Sequence, residues 1–233
     1  REWRLRPAGG GELRARFLVD ATGSGASVAR RCGARSVAAD RLAGFVRFFH
    51  DRPGSDPRTL VEAFPDGWWY TAALPGGMRV AACMTDSDLG RRLGLAGPDR
   101  WSALLAGAPH VADVLRGAAP SGGVVVRAAR SRRLHPPAGD GWVAVGDAVS
   151  TFDPLSSQGV LKALRSGVFA AYAVGDLLAG GDASGLERYR RFVADEFAAY
   201  LDTRDAYYGE ERRWPESEFR RRRAGRRAEV PVR

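Results

Sequence analysis

The stretch "GDAVSTFDPLSSQG", residues 146–159, follows the apolar run "GWVAVGDA" and leads into a long segment of small and apolar residues. Gly146 ends a predicted buried strand, and Asp147 then places a carboxylate at the carboxyl edge of a sheet, where open α/β folds bind ligands. Pro154 stiffens the next turn, and Ser156, Ser157 and Gly159 expose backbone amides at the start of a predicted helix, where such free donors carry partial positive charge. These parts match a ligand that has hydroxyls, a phosphate and an electron-rich ring.

A structural role explains some of the same residues. Asp147 and Ser156 are residue types that cap turns, and Asp153 is suited to stabilising an Asp-Pro bend. Taken alone, these residues leave both interpretations open.

The rest of the chain predicts a mixed α/β fold. "LRARFLVDATG", residues 13–23, reads as a buried strand that ends in a tight turn, and "GWVAVGDA" is a second strand of parallel-sheet character. Between them lie four predicted antiparallel strands and a helical segment with a break near Pro109. "GGVVVRAARSRRL" is predicted as one further strand. Two long helices are predicted near the C-terminus, over about 157–179 and 185–211. This order of elements indicates two interleaved subdomains.

Composition excludes several classes of protein. The chain has 233 residues, 45% of them hydrophobic, which is enough for a globular core without disulfides. The two cysteines lie in unrelated contexts, and we therefore expect a reducing compartment and a cytoplasmic protein. No apolar run is long enough to span a membrane. His50, His110 and His135 are isolated in the sequence, so no metal site is predicted.

The formal net charge of +9 is concentrated at one end. Residues 212–233 contain nine arginines and three glutamates, which accounts for six of these positive charges. We interpret residues 212–233 as a solvated, frayed basic tail. No aromatic reading surface or helix-turn-helix pattern accompanies the charge, so nucleic acid is not an expected partner.

"GWVAVGDAVSTFDPLSSQGVLKAL" resembles the second flavin motif of the FAD-dependent oxidoreductases related to para-hydroxybenzoate hydroxylase, geranylgeranyl reductases and tryptophan halogenases. "FLVDATG" resembles the strand and glycine turn that approach the FAD in the same superfamily. "PDGWWYTAALPGG", "FDPLSSQG" and "YYGEERRWPES" are similar to a halogenase-like subgroup that includes the flavoproteins that mature quinone-cofactor oxidases.

The resemblance implies FAD as cofactor, NAD(P)H as electron donor, and a set of cofactor-binding residues. In the family the Asp of this motif binds the ribityl chain, and the proline loop with its following glycine passes beside the flavin ring. The implied cofactor-binding residues are Ala21, Thr22, Gly23, Gly146, Asp147, Pro154, Ser157, Gln158, Gly159 and Val160. Strand alternation sends Trp68 and Tyr70 to one face and Trp69 to the other, so aromatic side chains could line a substrate or pack in the core.

The implied fold is an incomplete Rossmann-like FAD-binding domain interleaved with an antiparallel-sheet substrate subdomain. The predicted divisions are residues 1–40 and 131–182 for the FAD-binding domain, 41–130 for the substrate subdomain, 183–211 for a C-terminal helix and 212–233 for the tail.

Two features depart from the family pattern. The opening G-x-G-x-x-G motif is absent, and we expect that it lies in an upstream segment; "GSGASV", residues 23–28, only imitates it. The halogenase signature W-x-W-x-I-P is replaced by "GWWYTAALP", and the sequence has a single lysine, Lys162. Halogenation is therefore less favoured than the broader flavoprotein assignment.

The function predicted from the sequence is that of a FAD-dependent oxidoreductase, monooxygenase-like or halogenase-like, acting on an organic or protein-linked substrate. The alternative is a truncated, non-catalytic flavoprotein fragment that acts as a binding or scaffold module. Catalytic residues, substrate and oligomeric state are not predicted.

Overall fold

The computed structural model describes residues 2–52, 54 and 56–224. The strands are β1 (Trp3–Leu5), β2 (Leu13–Ala15), β3 (Leu18–Asp20), β4 (Arg35–Ala38), β5 (Leu42–His50), β6 (Leu60–Phe64), β7 (Gly67–Leu74), β8 (Met78–Asp86), β9 (Ala119–Ala128), β10 (Arg132–His135), β11 (Ala138–Gly139), β12 (Trp142–Ala144) and β13 (Ser150–Thr151). The α-helices are α1 (Ser27–Arg31), α2 (Ser87–Arg92), α3 (Pro98–Leu105), α4 (Pro109–Val114), α5 (Gly159–Gly180), α6 (Ser184–Glu210) and α7 (Glu218–Arg221). The predicted α/β class is confirmed.

The chain divides into two compact units. The first comprises Arg1–Ala39 and Arg130–Arg204, and the second comprises Asp40–Ala129 and Asp205–Arg233. Each unit is therefore built from two separate stretches of sequence.

The first unit contains three small sheets. β12 pairs with β3 in parallel, with Val143 opposite Val19, as the two apolar runs predict. β11 extends this sheet on the other side of β12, and β1 pairs with β2 in a separate hairpin. β10 lies between β4 and β13, with both pairs antiparallel. The carboxyl ends of the parallel strands thus carry the two turns singled out in the sequence.

The chain leaves and re-enters the first unit at neighbouring points. Ala38 at the end of β4 is paired with Arg132 at the start of β10. The Ala39 amide donates a hydrogen bond of 2.8 Å to the Ser131 carbonyl oxygen. The two connections to the inserted residues 40–129 are therefore one hydrogen bond apart.

The second unit is built on a five-stranded antiparallel sheet in the order β6-β7-β8-β5-β9. The four antiparallel strands predicted between Leu42 and Asp86 are all present. Helices α3 and α4 pack on this sheet through Trp101 and Val111, which are both fully buried in its core. Proline begins each of these two helices, where its missing amide costs nothing, and this explains the predicted break at Pro109.

The prediction of one strand over "GGVVVRAARSRRL" is wrong. β9 ends at Ala128 and β10 starts at Arg132, and each pairs with a different strand. The apolar run Val124–Val126 belongs to the sheet of the second unit, whereas Arg130, Arg132 and Arg133 belong to the first unit.

The expectation of a frayed basic tail is also wrong for residues 212–224; residues 225–233 lie outside the described residues. α7 is helical, Phe219 is fully buried, and Arg220 and Arg223 are less than a tenth exposed. The Arg220 guanidinium donates hydrogen bonds to the carbonyl oxygens of Phe64 and Gly67. These arginines are thus bound by buried carbonyl oxygens and acidic side chains, whereas the run of charges had predicted that they are solvated.

No helix in the described part of the chain is long and apolar enough to cross a membrane. Helix α5 does keep apolar side chains exposed, among them Val160, Leu164 and Tyr172, but buries Lys162 and Ser166 on its other side.

Acid is expected to destabilise the fold through carboxylates whose folded pKa is depressed. The hydrogen bond from the Arg213 side chain lowers the pKa of Glu211 from 4.5 to about 2. Such a group contributes stability above its unfolded pKa, and loses it as the pH falls through the folded value. We therefore expect the melting temperature to fall between pH about 4.5 and about 2, and Glu211→Gln to flatten that part of the profile. An identical profile for Glu211→Gln and the unaltered chain would contradict this assignment.

Candidate functional site

The turn after β12 is shaped by Gly146. Residues Gly146–Ala148 form a 3-10 turn, and Gly146 adopts a φ of 59°, in the left-handed region that glycine enters without strain. Its amide donates a 2.9 Å hydrogen bond to the Ser166 hydroxyl oxygen on α5. The turn is thereby tied to the helix that follows, and Asp147 lies at its outer edge.

The Asp147 side chain is 54% exposed. Its Oδ1 accepts a 2.7 Å hydrogen bond from Lys162 Nζ, while none of the residues that the structure describes donates to its Oδ2. No backbone amide of the described residues donates to the Asp147 carboxylate. The capping interpretation therefore fails for Asp147, and Oδ2 of this half-exposed carboxylate has no donor among the described residues.

The proline loop, in contrast, is held by its own capping bonds. Asp153 Oδ1 accepts from the Leu155 amide at 2.9 Å, and the Ser156 hydroxyl donates to the Asp153 carbonyl oxygen at 2.8 Å. The Asp153 amide also donates to the Tyr200 hydroxyl oxygen. The capping interpretation is thus correct for Asp153 and Ser156, and these bonds fix the backbone around the exposed Pro154.

Helix α5 begins at Gly159 with its first amides uncapped. The Gln158 side chain makes no capping bond, and Ser157 precedes it with a φ of 52°. A Cβ at Gly159 would meet open space, and Val160 is 77% exposed. The first turn of a 22-residue helix therefore presents free backbone donors beside an open surface.

The second predicted turn, "DATG", is organised by Asp20, which the sequence analysis did not select. The buried Asp20 carboxylate accepts hydrogen bonds from the Thr22 amide and hydroxyl and from the amides of Val28 and Ala29. Burial raises the pKa of Asp20, but the hydrogen bonds from Ala29, Thr22 and Val28 outweigh burial and hold it below its ordinary value. Ala21 and Thr22 are exposed on the outside of this turn.

These bonds exclude "GSGASV" as a dinucleotide fingerprint. A fingerprint needs free amides at the start of its helix to meet a pyrophosphate. At the start of α1 the amides of Val28 and Ala29 already bind Asp20. The protein's own carboxylate occupies the place that a phosphate would need.

Arg132 connects the two turns. Its Nη2 donates to the carbonyl oxygens of Ser24 and Asp147, the latter at 2.9 Å, and its Nη1 donates to the Ser36 hydroxyl oxygen. Arg132 is buried, and this burial lowers the pKa of its guanidinium. The two turns predicted to meet a cofactor are thus brought together by a residue that the sequence analysis missed.

The aromatic residues of β7 lie in the second unit. Trp69 is fully buried and packs edge-on against Trp101, with ring centroids 4.9 Å apart. Trp68 donates a 2.9 Å hydrogen bond from its indole nitrogen to the Tyr208 hydroxyl oxygen, and Tyr70 is half-buried. Trp69 is therefore a core residue, and that Trp68 and Tyr70 line a substrate stays a prediction. No group of metal-ligating side chains occurs among the residues with described positions.

The residues missed by sequence reasoning carried little signal. Lys162 was noted as the single lysine of the chain but was not assigned to the flavin site, and Asp20 could have been selected as the acidic residue at a strand end. Arg132 lies in a run of arginines that look alike in sequence.

No family model matches the chain. LodB from Marinomonas mediterranea, named as a FAD-dependent oxidoreductase, is 30% identical over 209 residues, which are 89% of this chain and 56% of LodB. A digeranylgeranylglycerophospholipid reductase from Methanothrix thermoacetophila is 32% identical over 75 residues, which are 29% of this chain and 19% of the reductase.

Solved structures share the fold. CmlS, a flavin-dependent halogenase, superimposes with a TM-score of 0.81 and 25% identity, covering 95% of this chain and 42% of CmlS. QhpG, a peptidyl tryptophan dihydroxylase essential for tryptophylquinone cofactor biogenesis, superimposes with a TM-score of 0.76 and 25% identity, covering 99% of this chain and 53% of QhpG.

The chain is therefore similar in sequence to a FAD-dependent oxidoreductase and in fold to flavin-dependent halogenases, and the resemblance seen in its motifs is confirmed. Its relatives include LodB and QhpG, the second of which matures a quinone cofactor. These relatives are enzymes. The chain spans about half the length of LodB, CmlS and QhpG, at 56%, 42% and 53%.

Proposed function

We propose that this chain contributes the flavin-binding turns and the substrate-side sheet of a FAD-dependent oxidoreductase. One observation carries the proposal. The exposed Asp147 carboxylate has an oxygen, Oδ2, that accepts no hydrogen bond from the described residues, and its other oxygen binds Lys162 near the uncapped start of α5. The flavin-dependent relatives support the same cofactor.

The donor set fits the two chemical parts of a flavin. Oδ2 of Asp147 can accept hydrogen bonds from ribityl hydroxyls. The free amides at Gly159 and Val160 can donate to acceptor atoms on the edge of the ring. The glycine at position 159 leaves open space where a side chain would stand. We propose that Ala21, Thr22 and Gly23, with Pro154, Ser157 and Gln158, lie around the same cofactor.

Bound FAD would supply the redox chemistry. The chain's own contribution is electrostatic and positional. The partial positive charge at the start of α5 favours negative charge nearby, without reorganisation during the reaction. The bonds of Asp153 and Ser156 hold the backbone around Pro154 in one conformation.

NAD(P)H as electron donor and a small or protein-bound organic substrate complete the proposal. QhpG acts on a peptidyl tryptophan, which supports a protein-bound substrate. Trp68 and Tyr70 remain the proposed substrate-side residues, whereas Trp69 packs in the core of the second unit. Hydroxylation, halogenation, reduction and protein maturation are the candidate reactions, and the cytoplasm is the proposed location.

A non-catalytic binding or scaffold role is the second candidate. It predicts a chain that takes up no flavin.

The test is a titration of the purified 233-residue chain with riboflavin and FAD, followed by flavin fluorescence. We expect binding, and we expect Asp147→Ala to weaken it about 10- to 100-fold, the range for one hydrogen bond to a charged group. Asp176→Ala is the matched control, because Asp176 is a similarly exposed carboxylate on α5. Failure of the unaltered chain to bind either flavin, or equal affinity for Asp147→Ala, would overturn the proposal.

A further inference from the structure

Lys162 is the one lysine of a chain that has 36 basic residues. Its side chain is 2% exposed, on the first turns of α5. An ammonium is a compact point charge with three donors, whereas a guanidinium is a planar fork. All the other basic residues of the chain are arginines. A buried lysine at this one position therefore indicates that the smaller cation has a specific role here.

The ammonium is fixed by three contacts. Nζ donates to Asp147 Oδ1 at 2.7 Å and to the Ser150 carbonyl oxygen, and it lies 5.4 Å from the centre of the Phe152 ring. Phe152 is itself stacked on Tyr200, with ring centroids 3.9 Å apart. Burial lowers the pKa of Lys162, and the hydrogen bond and charge of Asp147 oppose that shift.

Two buried cations bind different atoms of Asp147. Arg132 binds the backbone carbonyl oxygen of Asp147 and so holds the turn. Lys162 binds only one oxygen of its carboxylate and so sets the direction of the other. The backbone and the side chain of Asp147 are therefore positioned by separate residues.

We propose that Lys162 is a positioning residue that orients the Asp147 carboxylate toward the sugar-alcohol hydroxyls of a flavin. The inference rests on the proposed function and deepens it. Lys162 does not contact the ligand. It donates to Oδ1 and leaves Oδ2 available to accept hydrogen bonds from the hydroxyls. An arginine at this position would keep the charge but could bind both oxygens in the usual bidentate manner, leaving none for the ligand.

The experiment compares two flavins. Riboflavin carries the ribityl chain, whereas lumiflavin has the same ring with a methyl group in its place. We expect Lys162→Met and Lys162→Arg each to weaken riboflavin binding about tenfold, the loss of about one charge-assisted hydrogen bond, and to leave lumiflavin binding unchanged. Arg165→Met is the control, because Arg165 is an exposed cation one turn further along α5.

A double substitution separates positioning from general packing. If Lys162 acts through Asp147, Asp147→Ala with Lys162→Met should bind riboflavin no more weakly than Asp147→Ala alone. Additive losses would overturn the inference, as would wild-type riboflavin affinity in Lys162→Arg or an equal loss for lumiflavin. Should Lys162→Met fail to fold, Lys162→Arg preserves the buried charge and carries the test. If the unaltered chain binds neither flavin, the proposed function itself fails.

Discussion

Replacing Asp86 by Asn should lower the free energy of unfolding by about 3–5 kcal/mol, the cost of leaving a buried charge without its partner. The Asp86 side chain is 2% exposed and lies between two arginines of the C-terminal segment. Its Oδ1 accepts from Arg223 Nη2 and its Oδ2 from Arg222 Nη1, both at 2.8 Å. Arg222 also binds Asp88, so the loss would fall on Arg223, which is 3% exposed.

Urea unfolding followed by circular dichroism measures this change. The control is Asp113→Asn, which removes an exposed ion pair with Arg116 and should cost less than about 1 kcal/mol. Equal stability of the Asp86 and Asp113 variants would mean that the C-terminal arginines are not anchored in the second unit.

Replacing Asp20 by Asn is expected to cost about 3 kcal/mol, because an amide cannot satisfy both pairs of donors around this buried group. Oδ1 binds the Thr22 amide and hydroxyl, and Oδ2 binds the amides of Val28 and Ala29. Whichever way Asn is turned, its NH₂ group must face backbone N–H donors. The variant should also lose protection of the Val28 and Ala29 amides from hydrogen exchange.

Asp182→Asn provides the comparison for Asp20. Asp182 makes similar bonds to the amide and hydroxyl of Ser184, but on an exposed turn. A cap of this kind contributes about 1 kcal/mol. A loss for Asp20→Asn no larger than this would show that the "DATG" turn does not depend on its carboxylate.

Local patterns were sufficient to predict much of the fold. Apolar runs bounded by glycine and proline turns identify β5 to β8, and the continuous apolar strands β3 and β12 were correctly predicted to be parallel-sheet strands. Asp147 could be selected because its position follows from where a strand ends.

Long-range electrostatics could not be predicted in the same way. Arg222 binds Asp86 across 136 positions, and Arg132 binds Ser24 across 108. Such pairs leave no periodic signal, and a run of arginines has the same composition whether it is solvated or buried. The prediction of a frayed tail failed for this reason.

The hydrogen bond between Ala39 and Ser131 bears on how such a protein can diversify. Because residues 40–129 start and finish at adjacent positions, changes of length within them alter loop entropy only slowly and impose no stretch on the strands they interrupt. Insertions and deletions within residues 40–129 can therefore leave the strands β4 and β10 paired as they are.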